Sequence, residues 1–325
     1  MSGSGARCRM AGSSPPPTSE AMAPLPVTVI GGYLGAGKTT LVNHLLRHPD
    51  GRRLAVLVNE FGDLPIDADL IERRDEDMIA IAGGCVCCSY GSDLIEALER
   101  MLTLDPRPDH LLIEASGVAL PGGIASSLTL LMGYRLDAVL VLADAETIRD
   151  RAADRYLADT IARQLAEADL VLLNKADLVP PGDLADTLTW LEGASPRARI
   201  VTTTNAAVST GIALGLAAMR PPQRDHAYSH DSAGYDTDSF PVTEPVQAEA
   251  LARALADPTL CLLRAKGFVT AANGTMHTIQ TVARRWSVSP APAGLAGPGR
   301  LVAIALPGQL DRDAIRRAIE AASTT

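Results

Sequence analysis

Short apolar runs alternate with amphipathic stretches along the first two thirds of the chain. The first run, residues 25–32 (LPVTVIGG), ends in glycine, and the helical pattern TTLVNHLLRH follows at once. Further strand-like runs lie at residues 54–60, 110–117, 137–144, 169–177 and 198–204. Their apolarity is continuous rather than alternating, which is typical of strands buried on both faces. The pattern predicts an α/β fold, a doubly wound and mainly parallel sheet, over residues 25–220.

The pattern changes after this region. Residues 221–245 are polar, rich in proline and aspartate and without periodicity, so we interpret them as a linker. Residues 246–325 combine strand-like runs with a first and a last helical pattern, which predicts a smaller α+β domain. Residues 1–24 are rich in serine, proline and glycine, and we expect a disordered leader in which Met1, Met10 or Met22 is the starting residue.

Charge and cysteine content narrow the class of partner. The chain has 29 Lys and Arg against 38 Asp and Glu, a net charge of −9, so no basic excess favours nucleic acid or an anionic membrane. No apolar run approaches the roughly 20 residues that span a bilayer. Three of the five cysteines are clustered, which suits a reducing cytoplasm better than a disulfide framework. We expect a cytoplasmic protein with protein or small-molecule partners.

A phosphate-binding motif follows the first apolar run. Residues 32–39 (GYLGAGKT) match GxxxxGK[ST] between a strand and a helix, a context that disfavours a glycine-rich turn formed by chance. Glycines let backbone N–H groups turn towards phosphates, and the helix adds its positive end. We expect Lys38 to reach the β- and γ-phosphates and Thr39 to ligate magnesium. The predicted nucleotide-binding residues of this loop are Gly32, Gly35, Ala36, Gly37, Lys38, Thr39 and Thr40.

Residues 174–177 (NKAD) predict which base is bound. The Asp177 carboxylate can accept hydrogen bonds from N1–H and the exocyclic amine of guanine, whereas adenine offers no such pair of donors. Asn174 and Lys175 would then hold the ring. A motif this short is frequently a loop without function, but here it follows both an apolar strand and a P-loop. The sequence therefore predicts GTP rather than ATP.

Two carboxylates are candidates for magnesium and catalysis. Glu114 ends the apolar run of LLIEASG (residues 111–117), which has the form of a Walker B strand with Glu for the usual Asp. We expect Glu114 to hold a magnesium-bound water or to orient the attacking water, and Lys38 to share the catalytic role. A strand-terminal carboxylate that faces solvent is the alternative. Asp67, at the end of NEFGDLPID, is the second predicted magnesium-sensing carboxylate.

A thiol cluster lies between these motifs. Cys85, Cys87 and Cys88 fall within four residues, after an apolar run and before a helical pattern whose start would favour thiolates. Soft sulfur ligands select zinc or another transition metal over magnesium, and three thiolates leave one tetrahedral position open. Inert buried cysteines and a redox pair are the alternatives, although the CxCC spacing differs from the CxxC of redox motifs. The pattern favours an open site for a transition metal.

Taken in order, these motifs resemble the CobW family of GTPases. The resemblance is carried by GGYLGAGKTTLVNHLL, VLVNEFGDLPID, GGCVCCS, LLIEASGVALP and NKADLV, and by RAKGFVTAANG and RLVAIALPGQLD nearer the C-terminus. It implies a P-loop NTPase fold and a GTP-hydrolysing metallochaperone that uses GTP and Mg²⁺. It also implies that Cys85, Cys87 and Cys88 hold Zn²⁺ or Co²⁺, which the protein delivers to a client metalloprotein.

Two other functions stay open. One is a P-loop kinase, which would need an acceptor pocket and does not account for the NKxD motif. The other is a non-catalytic activator of a metalloenzyme that uses bound GTP only as a structural element. The sequence also leaves open the client, the choice between zinc and cobalt, the fourth metal ligand and whether a nucleotide-dependent dimer forms.

Overall fold

The computed structural model describes residues 23–59, 78–83, 92–215, 234–292, 295 and 297–323. Seven strands of the first domain form one sheet in which every neighbouring pair is parallel: β1 (Leu25–Gly32), β2 (Leu54–Asn59), β3 (Met78–Gly83), β4 (His110–Glu114), β5 (Tyr134–Asp144), β6 (Leu170–Asn174) and β7 (Arg199–Thr202). Their order across the sheet is β3-β2-β4-β1-β5-β6-β7. The predicted doubly wound parallel sheet is confirmed.

Helices cover both faces of this sheet: α1 (Lys38–Arg47), α2 (Ser92–Leu102), α3 (Pro121–Thr129), α4 (Ile148–Ala153), α5 (Ala158–Glu167), α6 (Pro181–Ala194) and α7 (Thr210–Ala213). Successive side chains of a strand point to opposite faces. In β4, Leu112 packs into the cluster that contains the buried face of α1, whereas Leu111 and Ile113 pack with α2 and α3. Burial on both faces explains why the strands are continuously apolar.

The second domain is an antiparallel sheet with two helices. Its strands are β8 (Asp236–Val242), β9 (Leu262–Thr270), β10 (Met276–Val282), β11 (Arg285–Pro290) and β12 (Gly299–Ala305), in the order β11-β10-β9-β12-β8. Helices α8 (Ala248–Leu255) and α9 (Arg312–Ala322) pack on one face through a buried apolar cluster. This confirms the predicted α+β architecture. No helix in the described ranges is long and apolar enough to cross a membrane.

Residues 236–242 differ from the sequence-based expectation, which places them in the linker. They form β8, an edge strand that pairs only with β12 among the described strands. Its sequence, DTDSFPV, is mostly polar, and only Phe240 and Val242 are buried. An edge strand with one solvated face needs no continuous apolar run, so the apolar pattern did not reveal it.

The two domains meet at the end of the parallel sheet that is remote from the P-loop. Leu263 and Ile304 of the second sheet belong to the same buried apolar cluster as α1. Residues 206–214 run between the domains: His44 of α1 hydrogen bonds to the Val208 carbonyl at 3.0 Å, and Arg264 donates to the Ile212 carbonyl at 2.6 Å. Residues 206–214, at the C-terminal end of the first domain, therefore contact both domains.

Candidate nucleotide and metal site

The phosphate-binding loop lies between β1 and α1, at the carboxyl edge of the sheet. Gly35 and Gly37 have φ values of 75° and 105°, a backbone conformation that L side chains rarely adopt. At Gly37 a Cβ atom would also lie 2.5 Å from Asn174 Nδ2. The first turn of α1 has no acidic side chain, so its N–H groups and positive end remain available to phosphates.

The predicted magnesium ligands Thr39 and Glu114 lie side by side. Thr39 Oγ1 donates a hydrogen bond of 2.9 Å to Glu114 Oε1 across the gap between α1 and β4. Glu114 is 3% exposed, so the alternative of a solvent-facing carboxylate is wrong. Lys38 is also buried, at 8% exposure. A hydroxyl and a carboxylate are the hard oxygen donors that Mg²⁺ prefers, so this pair fits the ion.

Asn174 and Asp177 of the NKxD motif differ in burial and in contacts. Asn174 is 2% exposed, and its Nδ2 donates to the Ala36 carbonyl at 3.0 Å while its Oδ1 accepts from Ala206 N at 2.8 Å. Asn174 therefore ties the phosphate loop to the loop after β7. Asp177 lies on a short 3₁₀ turn and is exposed at the same edge of the sheet. Its carboxylate remains accessible to a ligand.

Three further features of this site were not predicted from the sequence. Asp144, at the end of β5, is buried and pairs with Lys175 Nζ at 2.6 Å, which holds the NKxD loop in place. The loop at residues 203–207 meets the same motif, because Ala176 N donates to the Thr203 carbonyl. The sequence indicates the start of this loop by the change from the apolar strand ARIV to the polar residues TTTN.

The third feature is Gln164 of α5, which is 1% exposed. Its Nε2 donates to the carbonyls of Gly117 and Ala119, at 3.1 and 2.8 Å, and so holds the loop that follows Glu114. Gly117 lies directly against Leu34 of the phosphate loop, since a Cβ there would be 2.5 Å from that side chain. No local pattern marks Gln164, because its partners lie 45 or more residues away.

The predicted cargo site and one magnesium candidate lie outside the described residues: these are Cys85, Cys87, Cys88 and Asp67. Strand β3, which precedes the thiols, ends at Gly83 on the same edge of the sheet as Asn59 and Glu114. Within the described ranges, no group of three or more His, Cys, Asp or Glu side chains could hold a metal ion. Thr40 is exposed at the start of α1.

Comparison with known families matches both domains. The family described as CobW/HypB/UreG, nucleotide-binding domain, matches residues 26–202, and the cobalamin synthesis protein CobW C-terminal domain matches residues 235–323. The chain belongs to the CobW family of P-loop GTPases. The family that the motif order suggested from the sequence is therefore confirmed.

The chain is similar to several named relatives and to one solved structure. The zinc chaperone CobW of Pseudomonas aeruginosa is 31% identical over 345 aligned positions, covering 93% of this chain and 92% of the relative. The zinc chaperone YjiA of Escherichia coli is 36% identical over 200 residues, covering 59% of this chain and 61% of the relative. In a Sinorhizobium zinc chaperone CobW the match likewise spans 62% of the relative's length. The crystal structure of Zn(II)-bound YjiA GTPase aligns with a TM-score of 0.46 and 23% identity, over 93% of this chain and 100% of that chain.

Proposed function

We propose that this protein is a GTP-hydrolysing metallochaperone: it binds Zn²⁺, or Co²⁺, at Cys85, Cys87 and Cys88 and delivers the ion to a client metalloprotein in the cytoplasm. Relatives named as zinc chaperones and as a zinc-regulated GTPase metalloprotein activator support the class of cargo and of partner. The proposal extends those names to this chain and assigns the cargo to its CxCC motif.

The observation that carries the proposal is the common edge at which three strands end. β1 leads into the phosphate loop, β4 ends at Glu114, and β3 ends at Gly83, two residues before Cys85. In the strand order, only β2 separates β3 from β4. Neighbouring strands are about 4.8 Å apart, so the end of β3 is about 10 Å from that of β4. The nucleotide and the thiol motif are therefore connected to the same edge of one rigid sheet.

In this proposal the residues of the chain act by position and charge. Lys38 and the first N–H groups of α1 bind the phosphates and neutralise charge that develops on the γ-phosphoryl group. Glu114 orients the attacking water, and Thr39 with Glu114 and Asp67 would hold Mg²⁺, which supplies further charge neutralisation when bound. Arg151 contacts the phosphate loop, where its NH1 donates to the Leu34 carbonyl at 2.8 Å and its guanidinium lies over the Tyr33 ring. Because these contacts bind it to the loop itself, we expect slow intrinsic turnover that a partner stimulates.

Nucleotide selectivity tests the first half of the proposal. GTP should be hydrolysed and ATP should not, and Lys38→Ala should abolish turnover because the phosphate charge loses its partner. Asp177→Asn should lower GTP affinity at least a hundredfold, since a site built for two hydrogen bonds rejects a ligand that cannot form both. Xanthosine triphosphate, which carries a carbonyl where guanine has its amine, should gain affinity in that variant. Equal turnover of ATP and GTP would contradict the base assignment.

Metal binding tests the second half. Cys87→Ser should weaken zinc and cobalt binding strongly in a competition titration with a chromogenic chelator, because the hydroxyl is a poor ligand for either ion. Cys261→Ser is the matched control, because Cys261 lies in the second domain, directly before β9. Its substitution should leave the affinities for zinc and cobalt unchanged. Wild-type affinity in Cys87→Ser would remove the thiols from the proposal.

Metal transfer distinguishes a chaperone from a non-catalytic activator. Zinc-loaded protein with GTP should pass its ion to a fluorescent zinc indicator faster during hydrolysis than with a non-hydrolysable GTP analogue. Transfer at the same rate with both nucleotides would favour the activator, in which GTP is only structural. Size-exclusion chromatography of the same two samples would show whether a nucleotide-dependent dimer accompanies the cycle.

A further inference from the structure

Two histidines lie one helical turn apart at the C-terminal end of α1. The rings of His44 and His48 have centroids 5.0 Å apart and are tilted by 55° to each other. Two imidazoles that ligate one tetrahedral zinc ion, through bonds of about 2.0–2.1 Å, have ring centroids about 5 Å apart. The spacing of the two rings therefore matches that of a shared metal site.

A backbone carbonyl fixes the tautomer of the first ring. His44 Nε2 lies 3.0 Å from the Val208 carbonyl oxygen, which can only accept, so Nε2 carries the hydrogen. In the neutral imidazole, Nδ1 then has a lone pair available for a ligand. Burial lowers the pKa of His44, which favours this neutral form. Histidines that ligate metals almost always donate their other N–H to such an acceptor.

The second ring is accessible, although its backbone is held in place. His48 is exposed, and within the described part of the chain its ring contacts His44. Its N–H donates to the carbonyls of His44 and Leu45. Its own carbonyl accepts a hydrogen bond of 2.6 Å from Thr210 Oγ1. The imidazole of His48 can therefore turn towards an ion while its Cα keeps its position.

One short segment positions both histidines. Val208 and Thr210 belong to residues 206–214, which also accept a hydrogen bond from Arg264 of the second domain. The phosphate loop lies at the other end of α1. Since α1 has 10 residues and rises about 1.5 Å per residue, its two ends are about 15 Å apart. The histidine pair is therefore separate from the nucleotide edge of the sheet.

We propose that His44 and His48 form a site for a divalent transition metal, Zn²⁺ above all, with one nitrogen from each ring and water in the remaining positions. Neutral imidazole is a ligand for zinc, copper and nickel, whereas magnesium prefers oxygen donors. The carbonyl end of α1 adds a partial negative charge that favours a cation. Ligation and the hydrogen bond to Val208 favour each other, so metal binding would stabilise the contact between α1 and residues 206–214.

Zinc titration of the full-length chain without its thiol motif tests this site. In a variant with Cys85→Ser, Cys87→Ser and Cys88→Ser, zinc should still bind in isothermal titration calorimetry, and Mg²⁺ should not compete. His48→Gln in this background should weaken zinc binding at least tenfold, since even loss of a ligand's hydrogen-bond partner costs about 10–100-fold in metal affinity. Because the thiols are absent, the result does not depend on the proposed cargo site.

Two controls distinguish this pair from the other imidazoles of the chain. His226 and His230 have the same spacing in the sequence but lie outside the described residues, and replacing both with Gln should leave the affinity of the α1 site unchanged. His277→Gln, on β10, should also leave it unchanged. No zinc binding in the thiol-free chain, or zinc binding that His48→Gln does not weaken, would overturn the proposal.

Chemical labelling of the wild-type chain gives a second measurement that does not require the thiol-free variant to fold. Diethyl pyrocarbonate modifies neutral imidazole, and a metal ligand is protected from it. Trypsin cleaves after Arg47, so His44 and His48 are recovered in different peptides. Zinc in excess over the thiols should protect His48 and leave the labelling of His277 unchanged. Equal labelling of His48 with and without zinc would contradict the site.

Discussion

The side-chain amide of Asn174 joins the phosphate loop to the loop after β7. Its Nδ2 donates to the Ala36 carbonyl at 3.0 Å and its Oδ1 accepts from Ala206 N at 2.8 Å. Both contacts are buried, and they connect segments that are 138 and 32 residues from Asn174 in the sequence. One amide therefore fixes the position of the phosphate loop relative to the loop after β7.

Substitution of Asn174 should weaken nucleotide binding. Asn174→Ala removes both hydrogen bonds and leaves Ala206 N buried without a partner, so we expect about 1–3 kcal/mol of lost binding energy, or roughly tenfold to hundredfold lower GTP affinity. Asn174→Asp keeps the acceptor for Ala206 but loses the donor to Ala36. Its GTP affinity should therefore lie between that of the wild type and that of Asn174→Ala. Fluorescent GTP-analogue titration measures both, with the exposed Gln309→Ala as control. Unchanged affinity in Asn174→Ala would show that the phosphate loop holds its shape alone.

Substitution of Thr39 should affect magnesium dependence. The hydroxyl that donates to Glu114 is also the expected ligand, so Thr39→Ala should lower turnover at least tenfold and remove most of its response to added Mg²⁺. Thr39→Ser keeps the hydroxyl and should retain most of the activity. GTP hydrolysis measured across a magnesium titration tests both variants. A Thr39→Ala protein with the wild-type magnesium profile would place the ion elsewhere.

Substitution of Asp137 should destabilise the interface between the domains. Asp137→Asn leaves the fully buried Arg264 without its carboxylate, and an uncompensated buried charge costs about 3–5 kcal/mol. Asp313→Asn removes an ion pair on the surface of α9, where both partners are more than half exposed, and should cost less than 1 kcal/mol. Urea unfolding measures both. If the pair acts as argued, Asp137→Asn with Arg264→Gln should be less destabilised than the sum of the two single variants.

Acid stability should depend on His110. Burial lowers the pKa of His110 from 6.5 to about 3, and its Nε2 contacts Thr28 Oγ1 at 2.8 Å. Between these two values the unfolded chain binds a proton that the folded chain does not, so stability falls as the pH falls through this window. From pH 7 to 4.5 the loss should be about 2–3 kcal/mol.

A matched pair of variants tests this pH dependence. His110→Gln retains a donor for Thr28 and cannot titrate, so its stability should decline less between pH 7 and 4.5. His277→Gln, on the partly exposed end of β10, is the control and should behave as the wild type. Denaturant unfolding at each pH gives the comparison. An identical slope for all three proteins would assign the acid sensitivity between pH 7 and 4.5 to groups other than His110.

The sequence determined the parts of this protein that depend on local patterns. Continuous apolar runs predicted the parallel strands, because strands covered on both faces exclude polar residues. The glycine spacing before Lys38 predicted the phosphate loop, because the backbone conformation at Gly35 and Gly37 is one that other residues rarely adopt. The NKxD motif predicted a base site, and the position of Asp177 is compatible with that function.

The tertiary structure alone decided which distant groups meet. It assigned Asn174 to the phosphate loop, although its neighbours in the sequence placed it with the base. It also paired Asp137 of the first domain with Arg264 of the second, 127 residues away. Such contacts follow from the packing of whole helices and strands, so no periodic pattern in the sequence predicts them. The sequence therefore predicted the edge of the sheet that carries the phosphate loop. Only the tertiary structure revealed the contact between the two domains at the opposite edge.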